Sequence, residues 1–338
     1  MRTGPALVKA SHAYAKECPR TTWGLFTTTV LAFAAGWAAV LLTPTTWWPV
    51  QLVASIYLGL VGVRLFIFYH DYCHGALFRG SRPGTLAMTA VGFYTLAVPS
   101  VWRETHDYHH KNNAKLTGSS IGSYPTVSLG LYRGMRPAQR RSLKVIRHPA
   151  VIALGLFTTF FLGMCLAPFR RDPKRHWAAP VAAVVWWLVF AALALGFGLW
   201  KASLVWFVPC FIHAGLGSYL FYAQHNFPDA ELRDRRKWEY THAALKASSY
   251  FTMPRWMHWF TGNIGYHHVH HLNHKIPFYR LPEAMDGMPE LQSPGRTSWR
   301  PADIVACLRC AVWDPESGRM ISFREADAHL EAKPVAAK

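Results

Sequence analysis

Four long apolar runs limit what this chain can fold into. Residues 24–43, 47–69, 179–200 and 202–223 each approach the ~20 apolar residues that cross a hydrocarbon core. The second is broken only by Arg64, and the last two are separated only by Lys201. A backbone in lipid must satisfy its own hydrogen bonds, so these runs are expected as helices. Taken in pairs they make two hairpins, and the fold class is all-α integral membrane with four transmembrane helices. Arg64, near one end of its run, is expected to snorkel toward the headgroups. Residues 82–102, rich in Gly and Pro, and 150–169, flanked by cations at both ends, fit interfacial or re-entrant helices better than spans. With both excluded, the ends at residues 70, 106–110, 225 and 267–271 all fall on the side of the basic N-terminus. Although 51% of residues are hydrophobic, mean hydropathy is only +0.07, so a sizeable polar part is expected as a cytoplasmic helical cap. The division is a cytoplasmic segment at 1–23, a membrane domain at 24–325 and a flexible tail at 326–338.

The net charge of +18 admits nucleic acid, anionic lipid or an acidic protein as partner. No zinc-finger, basic-zipper or RNP-type pattern is present, and the apolar runs favour membrane lipids over nucleic acid. Arg133, Arg136, Arg140, Arg141, Lys144 and Arg147 are expected as a basic surface beside anionic headgroups, with docking of an acidic protein as the second reading. Six cysteines, two of them inside apolar runs, form no disulfide framework and point to a reducing, cytoplasm-facing site. Cys307-x-x-Cys310 stands alone and reads as helical neighbours. No cleavable signal peptide is expected, because the first apolar run is long enough to span. Trp313 to Phe323 suggests two short strands about a Gly-containing turn.

Histidines carry the chemistry. Three windows read His70-Asp-Tyr-Cys-His74, His106-Asp-Tyr-His109-His110 and His267-His-Val-His270-His271. On helices, spacings of three and four put imidazoles on one face, and neutral imidazole is the commonest metal ligand among side chains. His225 follows the last run directly and brings the set to nine. Nine donors exceed what one ion takes and suit two ions with four or five each. Structural zinc prefers closed four-ligand sites, usually with thiolates, and catalytic zinc takes three protein ligands and has no redox chemistry. A transporter would place its ligands near the midplane, where only His213 lies, and His213 is expected as a packed or helix-bonded residue. His268 is expected to support a ligand or meet solvent. His12, His148, His176, His242, His258, His274 and His329 lack partner spacing and are expected as structural or exposed. Asp71 and Asp107, each after the first histidine of its window, fit either orienting an imidazole or capping.

The order H-x3-H, H-x2-H-H, a lone Gln224-His225 and H-x2-H-H resembles the membrane fatty acid desaturase family. Matching surroundings are His70-Asp-x-x-His-Gly75, Trp102-Arg103, and Gly262-Asn-Ile-Gly-Tyr-His267 through Ile276-Pro-Phe-Tyr-Arg-Leu281, the last similar to the acyl-lipid Δ12-type branch. The resemblance spans roughly residues 20 to 325. It implies two non-haem iron ions held by His70, His74, His106, His109, His110, His225, His267, His270 and His271. It also implies a dioxygen-dependent desaturase that introduces a cis double bond using two external electrons. The substrate would be an acyl lipid or acyl thioester. No cytochrome, Rossmann or flavin pattern is present, so electrons are expected from a separate carrier such as a ferredoxin or a b-type cytochrome. The setting implied is a bacterial inner membrane with the metal site facing the cytoplasm. The chain departs from the family at Tyr72-Cys73, at Asn226-Phe227-Pro228 after Gln-His, and at Lys111-Asn112-Asn113. Tyr72 could narrow the acyl path or simply pack. Within enzymes, a hydroxylase or other oxygenase on the same scaffold is the alternative. Outside them it is a non-catalytic metal-binding membrane protein.

Overall fold

The computed structural model describes residues 1–116 and 121–331. The chain is mostly helical. Its long helices are Pro19–Leu42, Trp48–Cys73 and a continuous apolar stretch at Ala178–Ala223. All three are long and apolar enough to cross a membrane. Pro19 stands at the start of the first, where its fixed φ suits the first turn and its missing N–H costs no bond. The outer faces stay greasy: Leu31, Val53, Leu188 and Leu195 are all more than half exposed. An apolar belt of that extent is what a lipid-facing surface requires.

The third stretch reverses at Gly198, whose φ of 82° is in the left-handed region that only glycine adopts without cost. The reversal brings Trp186 within 5.7 Å of Trp206 and Phe190 within 6.2 Å of Phe207, ring to ring. At the same end Lys201 Nζ donates to the carbonyl of Leu41 (2.6 Å), a cation on the unpaired C-terminal carbonyls of the first long helix. Gln51 donates to the carbonyls of Val40 and Thr43, and Trp200 Nε1 donates to Gln51 Oε1 (2.8 Å). The helices pack closely where glycine permits. A Cβ at Gly59 would stand 2.6 Å from Ile212.

The run at 82–102 is two helices, Arg82–Tyr94 and Pro99–Asn112, bent by 85° into a broken span or a re-entrant loop. Val98 precedes Pro99 and is held extended, Leu96 has φ 56°, and Tyr69 Oη donates to the Ala97 carbonyl to fix the bend. Arg64 does not snorkel; it is buried. Its Nε donates to Thr29 Oγ1 (2.9 Å), another guanidinium N–H meets the Trp259 carbonyl, and the group lies 4.5 Å over the Trp259 ring. Arg147 is likewise no part of a basic surface. Its guanidinium is buried and donates to the carbonyls of Pro125 (2.8 Å) and Cys310 (2.6 Å) and to Asn226 Oδ1 (2.5 Å). Lys144 pairs with Asp327 at 2.6 Å. Substituting Arg147→Met should destabilise the protein by about 2–4 kcal/mol, because buried acceptors lose their donor. A drop in the detergent-solubilised melting temperature checks this.

The polar part is not purely helical. Val127–Ser128 pairs parallel with Val312–Asp314, which pairs antiparallel with Arg319–Ile321 about Gly318 (φ 64°), so the two strands about a turn are present. Tyr250–Thr252 and Arg296–Ser298 form a second small sheet. These pairings join segments distant in sequence, which local patterning does not reveal. A helix at Phe323–Glu331 with Ala326 buried extends the ordered chain beyond residue 325; residues 332–338 of the expected tail lie outside the described residues. Cys307 and Cys310 are buried free thiols, pushed up to about 11 and about 12 by burial, and Cys307 Sγ sits 3.1 Å from Thr297 Oγ1. They serve packing.

Candidate metal centre

Four segments deliver histidines to one end of the helix bundle. The last turn of Trp48–Cys73 carries His70, with His74 just beyond it. Helix Pro99–Asn112 carries His106, His109 and His110, all three buried. His225 follows the C-terminus of Val208–Ala223, and the short helix His267–Leu272 brings His267, His270 and His271. All nine expected residues come together in two groups. His70, His74, His106, His110 and His270 form one; His109, His225, His267 and His271 form the other. Within each group the ring nitrogens lie within 4.8 Å of one another. Adjacent residues of one helix thus divide between groups, His109 from His110 and His270 from His271, because neighbours about 100° apart face different directions.

The contacts are nitrogen to nitrogen. Nε2 of His70 is 2.8 Å from Nε2 of His106, and that of His110 is 3.0 Å from His270. In the second group, His109 and His225 approach to 3.0 Å and His225 and His267 to 2.9 Å. A metal–imidazole bond of ~2.1 Å sets neighbouring ligand nitrogens at right angles ~3 Å apart. Two tautomers are fixed from outside. His70 Nδ1 donates to Asp71 Oδ1 (2.9 Å), and His225 Nδ1 donates to the Ala247 carbonyl (3.0 Å). Each therefore turns an Nε2 lone pair inward. His74 is buried with neither ring nitrogen hydrogen-bonded among the described residues. Lone pairs converging without enough protons to share are satisfied by a cation, so the donor set fits two metal ions. Burial, reinforced by neighbouring imidazoles, holds His74, His267, His270 and His271 well below the ordinary histidine range, and burial lowers His225 to about 4. These groups are therefore neutral at pH 7, the form that binds metal.

Asp71 resolves in favour of orientation. It is buried, takes His70 through one oxygen and accepts the Phe278 backbone N–H (2.7 Å) through the other. Asp71→Asn should weaken metal retention by about 10–100-fold, measurable by chelator competition. Asp107 is half exposed and 3.7 Å from His74. His268 is not solvated: it is fully buried and its Nε2 donates to the Leu291 carbonyl (3.1 Å), outside both groups. His213 is helix-bonded, through Nδ1 to the Pro209 carbonyl. Tyr72 lies under the Arg103 guanidinium at 5.2 Å and packs there. Sequence spacing missed His274, whose ring sits 4.6 Å from that of His74. Its place three residues after His271 was the available signal.

A cavity of about 350 Å³ opens onto both groups, touching His70 and His106 of one and His267 of the other. It runs back between Trp48–Cys73, Val208–Ala223 and the helical segment around Phe160, past Phe66, Phe221 and Leu220. Ile146 and Gly163 line it and are also exposed on the outer surface of the bundle.

Apolar helices long enough to span a membrane, carrying two histidine groups fitted to hold metal at one end and a largely apolar cavity leading to them, define the class of the protein. The profile of the fatty acid desaturase family matches residues 46–301, and the chain belongs to that family of oxidoreductases. It is 27% identical to a fatty acid desaturase of Bacillus subtilis over 94% of this chain and 90% of that one. It is 24% identical to the sn-1 oleoyl-lipid 12-desaturase of Synechocystis sp., covering 90% and 88% of the two chains. It is 23% identical to the chloroplastic omega-6 fatty acid desaturase of Spinacia oleracea, covering 93% and 69%.

Proposed function

We propose that the protein is a dioxygen-dependent acyl-lipid desaturase with two iron ions, one held by each histidine group. The observation that carries this reading is the cavity that meets both groups at once. Bound iron would supply the redox chemistry needed to break an unactivated C–H bond, which no side chain here provides. The protein's own part is positioning. The cavity holds one stretch of chain against the histidine end, and Phe66, Trp102 and Phe221 exclude water. Exposure of Ile146 and Gly163 at the cavity wall supports lateral access for a chain from the bilayer, as an acyl lipid would need. Desaturation is favoured over hydroxylation by the relatives, whose names are those of desaturases. The gathering of nine histidines, eight of them buried and His225 partly so, beside a largely apolar cavity argues against simple metal storage.

Electrons are taken to come from a separate carrier, a ferredoxin or a b-type cytochrome. Exposed Lys111, Arg235, Arg236, Lys237 and Lys275 lie on the segments that cover the histidine end and would steer an acidic protein there. The metal end is assigned to the cytoplasm, with four crossings in two hairpins; a reporter fused after residue 174 should then report the cytoplasm, and an external signal would sink this topology. Expression in a host lacking desaturases, followed by fatty acid analysis with double-bond location, tests the activity. A hydroxylated product, or no product from iron-loaded protein supplied with electrons, would refute it.

A further inference from the structure

The cavity has a floor, and one side chain there is polar. Along Trp48–Cys73 its lining runs from His70 down to Val63, and along Val208–Ala223 it reaches no further than His213. His213 is buried, and its ring is wedged: a Cβ at Gly62 would stand 3.1 Å from its Nδ1. That Nδ1 donates to the Pro209 carbonyl at 3.2 Å, and the rings of Tyr94 and Phe160 flank it at 5.6 and 6.5 Å. With Nδ1 as the donor, Nε2 is an acceptor, and it is buried with no partner among the described residues. A rigid ring with an unpaired polar edge, closing a largely apolar cavity, is a poor surface to thread hydrocarbon past.

We propose that His213 is the specificity-determining floor against which the methyl end of the acyl chain is measured. This rests on the acyl-chain reading of the cavity. The reacting carbons are then chosen by their distance from the methyl end, whatever the headgroup. Seven residues separate Val63 from His70, ~10 Å at ~1.5 Å rise per residue. With ~1.5 Å C–C bonds at ~111°, an extended chain advances ~1.25 Å per carbon, so the span corresponds to about eight carbons.

The test is the position of the double bond in lipids of a host without desaturases of its own. His213→Ala deepens the floor and should move the double bond about two to three carbons further from the methyl end, at ~1.25 Å per carbon. His213→Phe keeps the bulk and should keep the original position. A structural role alone would lower yield without moving the bond. An unchanged position in His213→Ala would overturn the proposal. If His213→Ala makes no product, thermal stabilisation of the purified full-length proteins by lysophosphatidylcholines of graded saturated chain length decides. The best-binding length should rise by about two to three carbons in the variant, and an identical optimum in both proteins would overturn it. Should the unsubstituted protein make no double bond while the length optimum still shifts, the desaturase reading fails and the floor stands.

Discussion

Alanine in place of His225 is expected to lower desaturation more than about 100-fold, beyond the loss typical of an outer-shell change, and to reduce bound iron from two ions per chain toward one. His225 belongs to the four-membered group, where its Nε2 lies between those of His109 and His267. Without it three imidazoles remain. The residue stands just past a helix end, so insertion of the helices should persist, and membrane fractionation reports this separately. His268→Ala is the control. That ring is more deeply buried than His225 and adjacent to His267, but it bonds the Leu291 carbonyl. It should cost about 1–3 kcal/mol of stability and leave both irons bound. Metal analysis of the two purified variants distinguishes a ligand from a buried neighbour, and full iron occupancy in His225→Ala would remove that residue from the set.

Stripping the metal should abolish activity and lower the melting temperature by roughly 10 °C. The sum follows from ~4 kcal/mol of linkage at a thousandfold excess over Kd, at ~2–4 °C per kcal/mol for a chain of moderate size. The physical source is the face-to-face contact of ring nitrogens at 2.8–3.3 Å in both groups. An N–H···N bond needs one proton per pair. His70 and His225 have already committed their N–H to Asp71 and to Ala247. Chelation with iron readdition, followed by fluorescence-monitored melting, measures the effect. Restoration by iron and not by zinc would support redox work at the centre. An unchanged melting temperature on stripping would mean that the histidine network is self-sufficient.

The long apolar runs and the histidine spacings were legible in the sequence because both are local. A run of about 20 apolar residues has few other ways to satisfy its backbone in lipid, and i, i+3, i+4 spacing fixes one helical face. The same locality marked residues 82–102, rich in Gly and Pro, as unlike a plain span, although it did not show the 85° bend. Other features depend on what lies opposite. Arg64 and Arg147 look like surface cations in the sequence, yet both are buried, because distant carbonyls of Trp259, Pro125 and Cys310 receive them. His268 and His270 are two residues apart on one short helix, and only the elements around them send one to the Leu291 carbonyl and the other to His110. By itself the sequence determined that helices would span and that nine histidines would be available. Only the tertiary structure decided how those nine divide into five and four, and that one cavity meets both groups, since a division between two centres depends on which helices cross and at what angle, and no single helix contains that information.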